Sequence, residues 1–335
     1  MKITANELNF TNRRTIIVVG SPFQALCAVE AIKTFEIRDY KLYVWEYSGD
    51  NRRTQTLNVL SFFDVEAVSI VATRFTSLKY IVKNIFKGNK YDCAILGDVR
   101  ALDYRLMAIS ELACGSLILY LDDGSVSVAI FSGVRLANRS LFPYKKHIDG
   151  FISWFKGFDK PNTFFTIFSD VPTQKYRLME NDLSHVVSHK QNAPVEKEYV
   201  FIGTSPKAYM DAFGLSREEY VKMFCEILRQ IKSKYVNVTY IPHGRDYDNL
   251  LEPFCTENGI KYQRINICLE LYLLQQDHMV SAVGGFTSTA LLTIKKMFPK
   301  TEVYNYLPER KSDNVDTYKT ITEYYKNHGI CTVII

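Results

Sequence analysis

At 335 residues, 47% hydrophobic and 23% charged, the chain is long enough for two ordinary domains, each with a core of its own. It has no run of the roughly 18 apolar residues that a membrane-spanning helix needs. Its opening, MKITANELNFTNRR, has no apolar core of the signal-peptide kind, so a cytoplasmic protein is expected. The net charge of +5 is too mild to point to nucleic acid, and seven scattered cysteines without a C-x-x-C pair read as reduced thiols rather than a zinc site or disulfide framework.

The elements then follow in chain order. Thr15–Gly20 (TIIVVG) is a β-branched apolar run that reads as a buried strand. Ser21 and Pro22 supply an N-cap and a first helical position for QALCAVEAIKTF. Strands are predicted at Lys41–Glu46, Val68–Ala72, Asp92–Leu96 and Ser116–Leu121. Helices are predicted at Gln55–Phe63, Ser77–Phe86 and Tyr104–Cys114. This alternation predicts a parallel, doubly wound sheet. Residues 133–195 carry Pro143, Pro161, Pro172 and Pro194, and they read as irregular additional structure and an interdomain connection.

A second alternating series starts with a strand at Tyr199–Ile202. The helix Ser216–Ser233 has capping-box spacing between Ser216 and Glu219. Strands follow at Asn237–Ile241, Lys261–Ile265, Met279–Val283 and Glu302–Tyr306. Helices follow at Leu250–Asn258, Leu269–Gln276, Ser288–Met297 and Thr317–Asn327. The expected fold is therefore α/β, with two doubly wound, Rossmann-like domains facing across a cleft. The domains are set at 1–195 and 196–335, with the last helix free to pack back on the first. In such sheets ligands sit beyond the carboxyl ends of the strands, and the candidate motifs fall there.

Asp122-Asp123-Gly124 follows the strand Ser116–Leu121. Adjacent carboxylates repel, which suits one of them to accept a proton, although an ordinary Asp-Gly turn has the same sequence. His243, Gly244 and Arg245 follow another strand, where two nitrogen donors suit a phosphate, although a loop His in an ordinary polar turn has the same sequence. Asp246-Tyr247-Asp248 spells the Asp-x-Asp of metal-dependent transferases but is discounted as a helix opening, and no metal or cofactor is expected. Gly284-Gly285-Phe286-Thr287-Ser288-Thr289 leads from strand to helix and reads as an anion site or a plain Ser/Thr cap. Glu270 opens a short helix, either to accept from ribose hydroxyls or as a solvated charge. Gly203-Thr204-Ser205 closes a strand with residues small enough to admit a base or sugar, or forms a polar loop. The abundant tyrosine and phenylalanine serve either as sugar platforms or as packing.

Taken in order, Asp122-Asp123-Gly124, His243-Gly244 and Ser288-Thr289 resemble the three motifs of bacterial sialyltransferases. These are acidic-acidic-Gly, His-Pro and Ser-Ser/Thr. GSPFQALCAVEAI is similar to the opening of the polysialyltransferase-like group, and Glu270 with GGFTST to the donor-binding half. Gly244 stands where the family has proline, which loosens that loop. The resemblance implies a GT-B fold and inverting, metal-independent transfer of sialic acid from CMP-sialic acid to a galactose-type or sialyl acceptor of a bacterial surface glycan. It implies Asp123 as base with Asp122 as its alternative and His243, Ser288 and Thr289 on the leaving phosphate. Thr287 and Gly244 would lie beside them, Glu270 on the ribose, and Gly203, Thr204 and Ser205 along the cytosine. A GT-B enzyme using a UDP- or GDP-sugar, and a non-catalytic nucleotide- or glycan-binding module, remain open alternatives.

Lys79, Lys83 and Lys87 in SLKYIVKNIFKGNK share one helical face beside Tyr80, Ile81, Ile85 and Phe86. Arg135, Arg139, Lys145, Lys146 and the aromatic run Phe151–Phe158 extend a surface of the same kind. Two readings stand: a basic amphipathic contact with the inner face of a membrane that carries a lipid-linked acceptor, or a helix buried on its apolar side with solvated lysines.

Overall fold

The computed structural model describes residues 2–4, 7–47, 52–72, 76–84, 90–133, 143–158, 162–188, 190, 193–244, 246–309 and 315–335. The chain divides into two compact units, Met1–Ser188 and His189–Ile335.

In the first unit the elements run β1 (Thr15–Val19), α1 (Pro22–Thr34), β2 (Tyr40–Tyr47), α2 (Arg52–Phe62), β3 (Val68–Ala72), α3 (Thr76–Asn84), β4 (Tyr91–Leu96), α4 (Leu102–Glu111) and β5 (Leu112–Tyr120). They continue with α5 (Val126–Phe131), α6 (Pro143–Lys156), β6 (Thr163–Thr166), β7 (Arg177–Glu180) and α7 (Ser184–Val187). All seven strands are parallel, in the order β3-β2-β1-β4-β5-β6-β7. Every residue of β1 is buried, as a continuous apolar run between two layers of helix requires. Ser21 caps α1, accepting from Gln24 N at 3.3 Å, with Pro22 at its start.

The stretch read as irregular completes this sheet. β6 and β7 are only four residues each, too short to show a period. Asp122, at the end of β5, ties the added strands on. Its carboxylate is fully buried and accepts from Thr166 Oγ1 at 2.6 Å and Ile167 N at 2.8 Å. Glu30 of α1 accepts from Val186 N at 2.9 Å and docks α7 in the same way. The helix expected to reach Cys114 ends at Glu111, and β5 takes over from Leu112.

In the second unit the elements run β8 (Val195–Ile202), α8 (Pro206–Phe213), α9 (Arg217–Lys232), β9 (Asn237–Ile241), α10 (Glu252–Glu257), β10 (Lys261–Tyr262) and α11 (Leu269–Gln275). β11 (Met279–Gly285), α12 (Thr289–Met297), β12 (Glu302–Leu307), α13 (Val315–Asn327) and β13 (Cys331–Ile334) complete it. The parallel order is β10-β9-β8-β11-β12-β13. The capping box of α9 forms with both of its bonds. α13 packs within this unit, where Tyr325 Oη donates to Ser288 O at 2.8 Å. Much of the aromatic content is core: Tyr199, Phe201, Tyr209, Tyr220, Phe224, Tyr240, Phe286 and Tyr306 belong to one buried cluster.

Numbered from its own first strand, each sheet begins 3-2-1-4-5-6, the dinucleotide-binding order. The expectation of two doubly wound sheets is met by these strand orders.

Candidate active site

In a 3-2-1-4 sheet the chain reverses direction of travel between strands 1 and 4, and a crevice opens beyond their carboxyl ends. In the first unit those ends are Gly20 after β1 and Gly97 after β4. A Cβ on Gly97 would lie 2.3 Å from Gln24 Oε1, and one on Gly20 would lie 1.9 Å from Tyr104 Oη. Gly20 therefore leaves room for Tyr104, and Gly97 for Gln24, a buried residue one turn into α1. Its Oε1 accepts from Gly20 N at 2.8 Å, and its Nε2 donates to Asp123 Oδ1 at 2.8 Å. The other oxygen of Asp123 is paired with the Arg100 guanidinium. Arg100 is in turn held by Asp98, whose Oδ1 accepts from Arg100 N at 2.8 Å and Nε at 3.2 Å.

Asp123 thus sits in a network of one amide, one guanidinium and a second carboxylate, with 19% of its side chain exposed. Its neighbour Asp122 points the other way, into the core. The two carboxylates do not share a site. Each has its own donors, so mutual repulsion is not what sets their chemistry. Gly124, at φ +78°, turns the chain just after Asp123, in a left-handed conformation that favours a residue without Cβ. Gln24, Asp98 and Arg100 were missed in the sequence. The available signal was a Gly directly after a predicted strand followed by Asp-x-Arg, and a polar side chain on an otherwise apolar first turn.

In the second unit the carboxyl ends of β9, β8 and β11 lie side by side. Gly203 follows β8, and its N–H donates to Ile241 O at 2.8 Å. A Cβ there would lie 2.5 Å from Tyr240 Oη and 3.2 Å from His243 N, so Gly203 and His243 are neighbours. His243 is exposed, and its carbonyl accepts from Asp246 N at 2.8 Å to close a tight turn through Gly244. Arg245 lies outside the described residues. Thr204 and Ser205 are partly exposed, and Ser205 precedes Pro206 at the start of α8.

The Asp246-Tyr247-Asp248 segment opens no helix. Asp246 is 1% exposed, whereas Asp248 is exposed and lies 3.7 Å from Arg217. Burial raises the Asp246 pKa, with the nearby Arg264 opposing. Among the described residues no group of three or more His, Cys, Asp or Glu side chains could hold a metal ion.

The glycines expected to present an anion loop are there for packing. A Cβ on Gly284 would lie 2.2 Å from Tyr199 Oη, and one on Gly285 would lie 2.4 Å from Ile202 Cγ1. Beyond them Thr287 takes φ +34°, rare for a β-branched residue. Buried Asn305 holds it there, accepting from its N–H at 2.7 Å and its hydroxyl at 3.3 Å. Ser288 caps α12, its Oγ accepting from Ala290 N at 3.3 Å. Thr289 is the first helical residue and stands at the helix's positive end.

Glu270 is no solvated charge. It is 5% exposed, and burial raises its pKa, opposed by its own backbone N–H and by the Cys268 thiol, both donating to the carboxylate. Because α11 follows a strand of a parallel sheet, its N-terminus shares the carboxyl edge with the motifs above.

No protein-family profile matches the chain, and no curated protein matches it. Solved structures do. UDP-GlcNAc 2-epimerase from Neisseria meningitidis, bound to UDP-GlcNAc, shares 12% identity over 94% of this chain and 90% of its own, with a TM-score of 0.49. MurG from Acinetobacter baumannii shares 10% over 96% and 85%, at 0.46. UDP-N-acetylglucosamine 2-epimerase from Rickettsia bellii shares 15% over 81% and 73%, at 0.42. At these scores the likenesses carry no weight of their own, and the fold rests on the two strand orders.

Proposed function

We propose that the chain is a glycosyltransferase of the GT-B kind that takes its sugar from a nucleotide donor. The observation that carries this is the presence, in one chain, of two sheets with the dinucleotide-binding strand order, each with its candidate residues at the switch point. In the first unit Asp123 accepts the proton of the acceptor hydroxyl, oriented by Gln24 and Arg100. That oxygen attacks the anomeric carbon, and the bond from this carbon to the phosphate oxygen breaks. In the second unit His243 and the start of α12 at Thr289 receive the charge that gathers on the departing nucleotide. Gly203 to Ser205 line the base, and Glu270 and Thr287 shape the wall around them.

Two readings of the donor remain, and they differ in what they ask of these residues. The order of motifs supports CMP-sialic acid. That reading carries a proline after His243, and it places Asp123 as base and the Ser288 hydroxyl on the phosphate. The chain has Gly244 in place of that proline, while Asp123 stands beyond the end of β5 and Ser288 Oγ, which accepts from Ala290 N, keeps its hydroxyl hydrogen to donate. A UDP- or GDP-sugar donor does not ask for that proline, and on this observation it is the better supported.

The test is nucleotide release by the purified protein from CMP-sialic acid, UDP-GlcNAc, UDP-glucose and GDP-mannose, with and without galactose-type acceptors. Release that an acceptor stimulates, from one donor class, is expected. Nucleotide binding without turnover of any donor would make the chain a binding module instead.

A further inference from the structure

The first unit carries a surface that the proposed chemistry does not use. α6 is clamped to α4 on one side. Arg105 donates from Nε to Asp149 Oδ1 at 2.8 Å and from Nη2 to Ser153 Oγ at 2.9 Å. Lys156 turns inward and donates to Ile109 O at 2.9 Å and Leu112 O at 2.8 Å. Ile152 enters a core cluster with Leu106, Ile109 and Ile81 of α3. So anchored, α6 presents its other side to solvent, and that side is aromatic. Phe151 is 63% exposed, Trp154 78% and Phe155 67%. The three rings form one patch, with Phe151 centroids 6.3 Å from Trp154 and 6.4 Å from Phe155. Single exposed apolar residues are ordinary, whereas three contiguous large aromatics mark an interaction site.

The charge around the patch says what it meets. α3, which packs into the same cluster, exposes Val82, Lys79 and Lys83. Residues 76–91 hold four lysines and no acid. Lys146 of α6 is exposed, and the one acid of that helix, Asp149, is engaged by Arg105. Lys87, Arg135 and Arg139 lie outside the described residues. A second copy of the chain seated ring to ring would set these lysines against their own images, which repel. An anionic bilayer answers both features at once. Tryptophan and phenylalanine settle at the depth of the headgroups, and lysines gain from the negative surface potential. No helix among the described residues is long and apolar enough to cross a membrane.

We propose that the outward face of α6, with the exposed lysines of α3, is an interfacial docking surface for anionic lipid. This goes beyond the proposed transfer reaction and stands or falls without it.

The chain has two tryptophans, and only Trp154 is exposed, Trp45 being 2% accessible. Trp154 emission therefore reports on the patch directly. Vesicles of phosphatidylcholine with one-third phosphatidylglycerol should shift that emission to the blue and sediment the protein. Pure phosphatidylcholine should do neither, and raised salt should weaken the effect. The triple variant Phe151→Ser, Trp154→Ser, Phe155→Ser, and the triple variant Lys79→Gln, Lys83→Gln, Lys146→Gln, should each lower vesicle affinity about 10-fold or more. Both should keep the wild-type circular dichroism and melting temperature. Three outcomes would overturn the proposal. They are no shift on anionic vesicles at low salt, equal binding to phosphatidylcholine, or a dimer in light scattering that the aromatic variant dissolves.

Discussion

The two switch points are built from different materials. At the first, four long polar side chains from three strand ends lock together: Gln24, Asp98, Arg100 and Asp123. At the second, the edge is made of backbone and small residues, with Gly203 against His243 and Gly285 against Ile202, seated on an aromatic core. One strand order thus supports two kinds of edge. A network of charged side chains fixes a single carboxylate in place, which suits proton transfer. Close-approaching backbone with a helix start nearby suits a phosphate and a flat base. The topology locates both edges, and under the proposed function the residues at the strand ends divide the labour between them.

Substitutions that cross this divide sharpen it. The largest effect is expected at Asp123. Asp123→Asn should lower turnover at least about 100-fold, the usual size of a general-base contribution, measured as nucleotide released with acceptor present. Gln24→Leu removes the donor that orients Asp123 and should cost about 10-fold in kcat, with KM for the donor little changed. Steady-state kinetics separates the two. An equal loss in Gln24→Leu and Asp123→Asn would make the glutamine more than a positioning residue.

Stability separates Asp122 from its neighbour. Asp122→Ala strands the Thr166 hydroxyl and the Ile167 N–H in the core and should cost about 3 kcal/mol in denaturant unfolding. Asp123→Asn, at a partly exposed site where one acceptor oxygen remains, should cost less, about 1 kcal/mol. On the other edge, Gly285→Ala forces a methyl against Ile202 and should cost about 2 kcal/mol.

The smallest effect is on pH. The Glu270 pKa is raised by burial, so the folded state holds a proton that the unfolded state releases. Stability therefore falls as pH rises from about 4.5 through the raised value, by up to about 1.4 kcal/mol per pH unit. Glu270→Gln should flatten that slope and raise the melting temperature at pH 7. Asp246 contributes in the same direction and keeps part of the slope in the variant. A melting temperature that drops at pH 7 in Glu270→Gln would show the carboxylate to be stabilising.

The alternation was legible wherever strands were long and apolar. β1, β4, β9 and β11 appear at or within a residue or two of their expected places, and Ser21 and Ser216 cap as their sequences indicate. β6, β7 and α8 were not legible, because a four-residue strand or an eight-residue helix beside prolines carries no measurable period. Motifs were legible as positions but not as roles. Gly284-Gly285 looks like a phosphate loop, yet it answers the bulk of Tyr199 and Ile202, which come from a distant part of the chain. Asp122 and Asp123 are equivalent in sequence and opposite in the fold, because the partners that separate them, Thr166 and Arg100, are far away along the chain.

The division of labour is tested most directly by calorimetric titration of wild type, Asp123→Asn and His243→Ala with the nucleotide that the wild-type protein releases. Asp123→Asn should bind it within about twofold of wild type, and His243→Ala about 10-fold more weakly, the size of one charge-assisted contact to phosphate. The reverse pattern, with affinity lost at Asp123 and kept at His243, would place the nucleotide on the first unit and contradict the account.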